Sequence, residues 1–107
     1  MVYIAHPLSG DWEGNIAAAR AYVAAAIHRG WVPCAPYIMT DGILVEPLDR
    51  ELGMALDLAY LARCDQFWAC GPTVSPGMAI EWDEAVRLGL VVARILTPES
   101  TPAYQGS

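Results

Sequence analysis

The chain has 107 residues, 55% of them hydrophobic, and twelve acidic residues against six arginines give a net charge of −6. This length predicts one domain with a single apolar core. The acidic charge argues against a nucleic acid polymer or an anionic membrane as a partner, because both repel a negatively charged surface. No apolar run is long enough to span a bilayer and no signal peptide is apparent, so we expect a cytoplasmic protein.

The cysteines and histidines give no sign of a metal site. Cys34, Cys64 and Cys70 lie in or beside apolar segments and lack C-x-x-C spacing, which favours buried thiols in a reducing compartment. The two histidines are far apart in sequence, which argues against a histidine-based metal site. We therefore predict neither a bound metal nor a cofactor.

The first third of the chain reads as a strand, a helix and a second strand. Residues 2–5 form a short apolar run typical of a central parallel strand, and residues 6–11 form a loop at its carboxyl end. The alanine-rich segment 13–28 has apolar residues at helical spacing. Residues 31–35 predict an edge strand, because Pro33 cannot donate to a ladder. A G-x-G-x-x-G fingerprint of dinucleotide binding is missing here.

The remaining two thirds repeat the alternation of helix and strand. After a longer connection at 36–47, the patterns predict a helix at 48–64, a strand at 66–70, a helix ending near 88 and a strand at 90–93. This order predicts a single-domain α/β fold, doubly wound and flavodoxin- or Rossmann-like. Its mostly parallel sheet would have four or five strands with helices on both faces.

We assign residues 1–96 to this domain and residues 97–107 to a loose tail. The tail contains two prolines. Tyr104 is the tail residue that is suited to dock onto a neighbouring subunit. A small α/β domain with this much Trp and Met often buries a face against a copy of itself. We therefore expect a homodimer or a larger homo-oligomer.

The stretch Thr73–Glu81 marks a crossing from strand to helix, where open α/β sheets bind ligands. Ser75 is a natural N-cap, Pro76 suits the first helical position and Gly77 lets a ligand approach the backbone. Free N–H groups there would attract an anion such as phosphate. Glu81 either leans back towards this mouth or is an ordinary first-turn acid facing the helix dipole.

Three other residues have two interpretations each from sequence alone. Asp57 lies among leucines in the middle of a helix. Its side chain lies either on the solvent-exposed stripe of that helix or at a cleft, and helix geometry favours the solvent stripe. Tyr3 is a core residue or points towards the site, and the core is favoured for a tyrosine on a strand. His6 is a hydrogen-bonded spacer in its loop or a functional group.

Four features stand in a characteristic order: Tyr3 in V-Y-I-A, Asp57 in A-L-D-L-A-Y-L-A-R-C-D, Ser75-Pro76-Gly77, and Glu81 in G-M-A-I-E-W-D-E-A-x-x-L-G. Taken together they resemble the nucleoside 2-deoxyribosyltransferase superfamily, which includes the 2'-deoxynucleoside 5'-monophosphate N-glycosidases. The resemblance covers the chain from residue 2 to about residue 92. It departs from the family at His6-Pro7, where many relatives have glycine or serine, and in the tail.

The resemblance implies a role for each matching residue. Glu81 would be the nucleophile, Asp57 the acid that contacts the departing base, and Ser75 the contact at the 5' end of the sugar. Together with the loop residue His6, the full set of residues that we expect to bind the substrate is Tyr3, His6, Ser75, Gly77 and Met78. The partner would be a small-molecule nucleoside or nucleotide, and the reaction would be cleavage or transfer at its N-glycosidic bond.

Such chemistry needs two carboxyl groups with different protonation states. We expect the helix N-terminus to keep Glu81 ionised, and desolvation among leucines to raise the pKa of Asp57. Three alternatives stay open. They are a non-catalytic nucleotide-binding module, a structural subunit without a ligand, and a phosphoribohydrolase acting on cytokinin-type nucleotides. Relatives of the last kind carry P-G-G-x-G-T-x-x-E, most of which is missing here.

Overall fold

In the computed structural model, which describes residues 1–45 and 47–106, a four-stranded parallel sheet forms the centre of the molecule. The strands follow the spatial order β2-β1-β3-β4. In chain order the elements are β1 (Val2–Ala5), α1 (Trp12–His28), β2 (Pro33–Cys34), α2 (Pro36–Met39), α3 (Arg50–Leu61), β3 (Gln66–Cys70), α4 (Pro76–Arg87), β4 (Val91–Ile95) and a 3-10 turn (Pro98–Ser100).

Helices cover both faces of this sheet. Tyr3 and Ala5 on β1 face the layer of α3 and α4, while Val2 and Ile4 face α1. This alternation follows from the two-residue period of a strand, and all four side chains are fully buried because β1 is a central strand. The predicted α/β fold, with a parallel sheet of four or five strands and helices on both faces, is confirmed.

The strand order creates a switch point between β1 and β3. From β1 the chain crosses to β2 on one side, whereas from β3 it crosses to β4 on the other. Paired in register from Val2 with Gln66 to Ala5 with Ala69, the two strands end together. The loops after them diverge and leave a crevice at the carboxyl edge, which is where sheets of this order bind ligands.

The elements differ from the sequence prediction around the second strand. β2 lies at the sheet edge, as Pro33 indicates, but it has two residues instead of five. Residues 36–39 then form a four-residue helix within the predicted loop. Pro36 presets the first helical turn there, and the buried Tyr37 anchors the turn through a hydrogen bond from its hydroxyl to the carbonyl of Ile4.

The expectation of a loose tail is wrong for residues 97–104, which pack against the domain. The Tyr104 amide donates to the carbonyl of Arg29 at 2.9 Å, and the Trp31 indole donates to the carbonyl of Pro102 at 2.8 Å. The rings of Trp31 and Tyr104 meet edge to face at 4.9 Å. Tyr104 thus packs against its own chain. Its predicted docking onto a neighbouring subunit remains a prediction.

Two further expectations from composition can be compared with the fold. All three cysteines are free and buried, as predicted. Among the helices of the described part of the chain, none combines the length and apolarity needed to cross a bilayer.

Candidate active site

A cavity of about 500 Å³ opens at the carboxyl edge, between the loop after β1 and the first turns of α4. Its volume lies in the range of small-molecule sites. Six of the seven sequence-predicted site residues line it: His6, Asp57, Ser75, Gly77, Met78 and Glu81. The seventh, Tyr3, is fully buried on β1 and contacts Glu81. The fold therefore brings together residues that span nearly 80 positions of the sequence.

The tip of α4 forms one wall through local rules. The Ser75 hydroxyl oxygen accepts the Met78 amide at 3.2 Å, and the Ser75 amide lies 3.4 Å from the Met78 sulfur. Pro76 occupies the first helical position, where its missing N–H costs nothing. The predicted N-cap is confirmed. Gly77 leaves room at the wall, because a Cβ there would lie 3.7 Å from the terminal methyl of Met54.

Glu81 lies deeper in the same helix and is almost fully buried, with 6% of its surface exposed. It is the sixth residue of α4, beyond the first turn, so both the predicted dipole effect and its interpretation as a first-turn acid are wrong. Desolvation raises the pKa of Glu81 to about 8. The Tyr3 hydroxyl, which donates a hydrogen bond to the carboxylate, opposes this rise, and the charge of Asp57 adds to it.

Asp57 reaches the cavity from α3, a different helix. It is half-buried and lines the cavity, so the solvent-stripe interpretation favoured by helix geometry is wrong. Burial raises the pKa of Asp57 to about 7, as expected for a carboxyl group among leucines. The two carboxyl groups thus titrate near neutrality. The pKa of Glu81 is therefore raised as well as that of Asp57, whereas the sequence led us to expect an ionised Glu81.

Comparison of the sequence with known families identifies the family to which the chain belongs. The model of the family described as "Domain of unknown function (DUF7768)" matches residues 1–95, which is most of the chain. The chain belongs to this family. No match is found among curated proteins. The DUF7768 match thus covers the sheet, its helices and every residue of the cavity described above, and it carries no activity with it.

In this DUF7768 domain, Tyr3 satisfies both of its sequence interpretations. Its ring lies in the core, stacked on Phe67 with 5.9 Å between ring centroids, and its hydroxyl reaches Glu81. Burial, followed by the neighbouring charge of Glu81, raises the pKa of Tyr3 well above its ordinary value. The phenol therefore stays protonated and acts as a hydrogen-bond donor to the carboxylate.

His6 is held in one orientation at the end of β1. Its Nδ1 donates to the carbonyl of Pro7 at 2.8 Å, and its ring lies 5.6 Å from that of Tyr22. This tautomer, assigned from the carbonyl partner, leaves Nε2 as an acceptor in the neutral ring. Gly71 is required beside it, since a Cβ there would lie 3.3 Å from Nε2 and its φ of +93° suits glycine. His6 is thus a spacer that also lines the cavity.

Sequence reasoning missed two further groups of residues that line the cavity. The first group, which we call the apolar wall, consists of Leu8, Trp12, Tyr37, Leu44 and Val45. The second group is polar and consists of Ser9, Thr40, Asp49, Arg50 and Glu51. The available signals were the position of Trp12 directly after the first loop and the apolar run in a connection that is otherwise polar. Across the described residues, no group of three or more His, Cys, Asp or Glu side chains is placed to hold a metal ion.

Proposed function

We propose that this protein cleaves or transfers the N-glycosidic bond of a nucleoside, a deoxynucleoside or the 5'-monophosphate of either. The observation that supports this most is the pair of carboxyl groups. Asp57 and Glu81 come from different helices, face one cavity of nucleoside size, and have pKa values raised to about 7 and about 8. A pair of carboxyl groups with separable roles is what glycosidic chemistry requires. The resemblance to nucleoside 2-deoxyribosyltransferases supports the same assignment.

In the proposed first step, the Glu81 carboxylate attacks C1' of the sugar. The bond from C1' to the base nitrogen breaks, its electron pair stays with the base, and Asp57 supplies a proton to the departing base. The product is a glycosyl ester on Glu81 and a free base. In the second step, water or the nitrogen of another base attacks C1', gives its proton to Asp57 and releases the Glu81 carboxylate. The first acceptor makes the enzyme a hydrolase and the second a transferase.

This mechanism needs one proton on the pair of carboxyl groups, and pKa values of about 7 and about 8 favour that state near neutrality. Two carboxyl groups that share a desolvated site titrate as a unit, because each negative charge opposes the other. The hydrogen bond from Tyr3 stabilises the negative charge on Glu81 and so opposes, without cancelling, the rise in its pKa caused by burial. Donation from a sugar hydroxyl to Glu81 would add to this effect.

The other residues of the cavity would orient the substrate. Ser75, Gly77 and Met78 at the tip of α4 would contact the 5' end of the sugar. The Nε2 atom of His6 would accept a hydrogen bond from a ligand hydroxyl or N–H. Tyr3 is a positioning residue, since it acts through Glu81.

Two wider features belong to the same proposal. Leu52 on α3 and Val86 on α4 are each exposed by more than half and do not line the cavity, and such apolar surface supports a homodimer or a larger homo-oligomer. Three free, buried thiols in a nucleotide-metabolising enzyme support a cytoplasmic location.

The second candidate is a nucleotide-binding module without turnover. It is favoured by the burial of Glu81, which raises the pKa of the residue that must be ionised to attack. A module of this kind would raise its melting temperature with a nucleoside or monophosphate and release no base over long incubation.

The first experiment is a screen of nucleosides, deoxynucleosides and their monophosphates for released base by chromatography. We expect release by the wild type, and a loss of about a thousandfold or more in Glu81→Gln, because the amide cannot form the glycosyl ester. Asp57→Asn should also lose most activity, and least for substrates whose bases leave without protonation. The matched control is Asp83→Asn, an exposed acid on the same helix.

Full activity in Glu81→Gln would remove this residue from the nucleophile role. Saturable binding without base release, in wild type and Asp83→Asn alike, would support the binding module instead.

A further inference from the structure

We propose that the cavity contains an apolar subsite beside the two acids, and that the substrate is a nucleoside whose base carries a bulky apolar substituent. This inference rests on the proposed function for its orientation. It depends on the wall that sequence reasoning missed, formed by Leu8, Trp12, Tyr37, Leu44 and Val45.

The wall consists of residues from one packed cluster, together with Leu44 and Val45 from the segment after α2. Leu8, Trp12 and Tyr37 pack with the buried side chains of Ile16 and Ala19 between α1 and α2. This packing holds the aromatic rings in place, so the surface that they present to the cavity is preformed. A preformed apolar surface binds an apolar group without first having to order its own side chains.

The polar groups of both aromatic residues are already engaged within the protein. The Trp12 indole donates to the Asp41 carboxylate at 2.8 Å, and the Tyr37 hydroxyl donates to the carbonyl of Ile4. Each ring therefore offers hydrocarbon to a ligand and keeps its donor for the protein. A polar exocyclic group placed against them would lose water without gaining a partner, whereas an apolar substituent gains by leaving water.

There is room for such a substituent. A second hollow of about 260 Å³ adjoins the cavity and shares Trp12, Leu44 and Val45 with it. Asp41 and Gly42 complete the lining of this hollow, so the space beside the three shared residues extends past the first cavity. With C1' at Glu81 and the 5' end of the sugar at Ser75, the base is directed away from the α4 tip. The proposal places the far edge of the base against the apolar wall.

The test compares matched ligands in the Glu81→Gln protein, in which the ligand is not consumed. The pairs are N6-benzyl-2'-deoxyadenosine with 2'-deoxyadenosine, and 5-phenyl-2'-deoxyuridine with 2'-deoxyuridine, measured by titration calorimetry. We expect at least one substituted member to bind about tenfold or more tighter than its parent, because its added ring is removed from water. Base release by the wild-type protein is measured separately for the same four compounds.

Two variants locate the effect. Trp12→Ala and Leu44→Ala should each reduce the preference for the substituted ligand at least threefold and leave the parent's affinity nearly unchanged. Leu44→Ala guards against a folding defect in Trp12→Ala, since Leu44 lies in a connecting segment. The matched control is Leu48→Ala, an 85% exposed residue of the same segment that does not line the cavity, and it should keep the full preference.

The outcomes separate this inference from the proposed function. Equal or weaker binding of both substituted ligands, with base release from the parents intact, overturns the apolar subsite alone. A preference that Trp12→Ala and Leu44→Ala leave unchanged also overturns it. A preference lost in both variants, without base release from any compound, supports the subsite and counts against the enzyme.

Discussion

The two walls of the cavity are built in different ways. The acidic wall comes from α3 and α4, each of twelve residues, and holds its polar groups by burial and by the contact of Tyr3 with Glu81. The apolar wall comes from a loop, the first turn of α1, the four-residue α2 and the segment after it. The groups proposed for chemistry thus lie on long elements. Those proposed for ligand selection lie in loops, in the short α2 and at the first residue of α1, and loop positions tolerate change without disturbing the sheet.

The largest effect expected on the acidic wall concerns stability. Burying the Glu81 carboxyl raises its pKa from about 4.5 when unfolded to about 8 in the fold, so the folded protein binds more protons between these values. The wild type therefore loses stability as pH rises through this window. Glu81→Gln avoids the loss and should be more stable by roughly 5 kcal/mol at pH 9, with little advantage at pH 4.

Thermal unfolding of wild type, Glu81→Gln and Asp83→Asn from pH 4 to pH 9 measures this difference. The exposed Asp83 supplies the matched control, because its neutralisation removes the same charge without relieving burial. An advantage of Glu81→Gln that stays the same at every pH would contradict the burial argument.

The next effect separates the ionisation of Glu81 from its position. Tyr3→Phe keeps the ring that stacks on Phe67 and removes only the hydroxyl that donates to Glu81. Loss of that hydrogen bond raises the pKa of the carboxyl further, so less of it is ionised at pH 7. Under the proposed mechanism, base release at pH 7 should fall about ten- to a hundredfold and recover towards pH 9.

The measurement is the pH profile of kcat/KM for base release, with Tyr60→Phe, on α3 and outside the cavity lining, as the control. A uniform loss across pH would mean that Tyr3 supports the fold of the site and does not tune the acid.

The comparison of the walls also explains how far the sequence could predict the site. The cap at Ser75 and the helix after it follow from neighbouring residues, and the resemblance identified Asp57 and Glu81. Which side of α3 faces the cavity depends on packing against α4, so periodicity alone placed Asp57 on the wrong face. The aromatic contact of Trp31 with Tyr104 joins residues distant in sequence, and no local pattern reveals it.

The apolar wall depends on the same kind of distant contact. Tyr37 is held in the wall by the hydrogen bond from its hydroxyl to the carbonyl of Ile4 on β1. Trp12 is held there by the hydrogen bond from its indole to Asp41. Composition shows the aromatic residues but does not show which polar partner each one uses. The acidic wall could therefore be proposed from sequence, whereas the apolar wall required coordinates.

The smallest expected effect tests whether the tip of α4 serves the ligand as well as the helix. The Ser75 hydroxyl oxygen already accepts the Met78 amide, so Ser75→Ala should cost about 1 kcal/mol of stability through the cap. Ser75→Asn is the matched variant, because asparagine caps as well as serine but places a different group at the cavity. If the serine hydroxyl contacts the 5' end, both variants should weaken binding of a 5'-monophosphate more than of its nucleoside. Calorimetry on the two ligands decides this, and equal losses for both would leave Ser75 with the cap as its whole role.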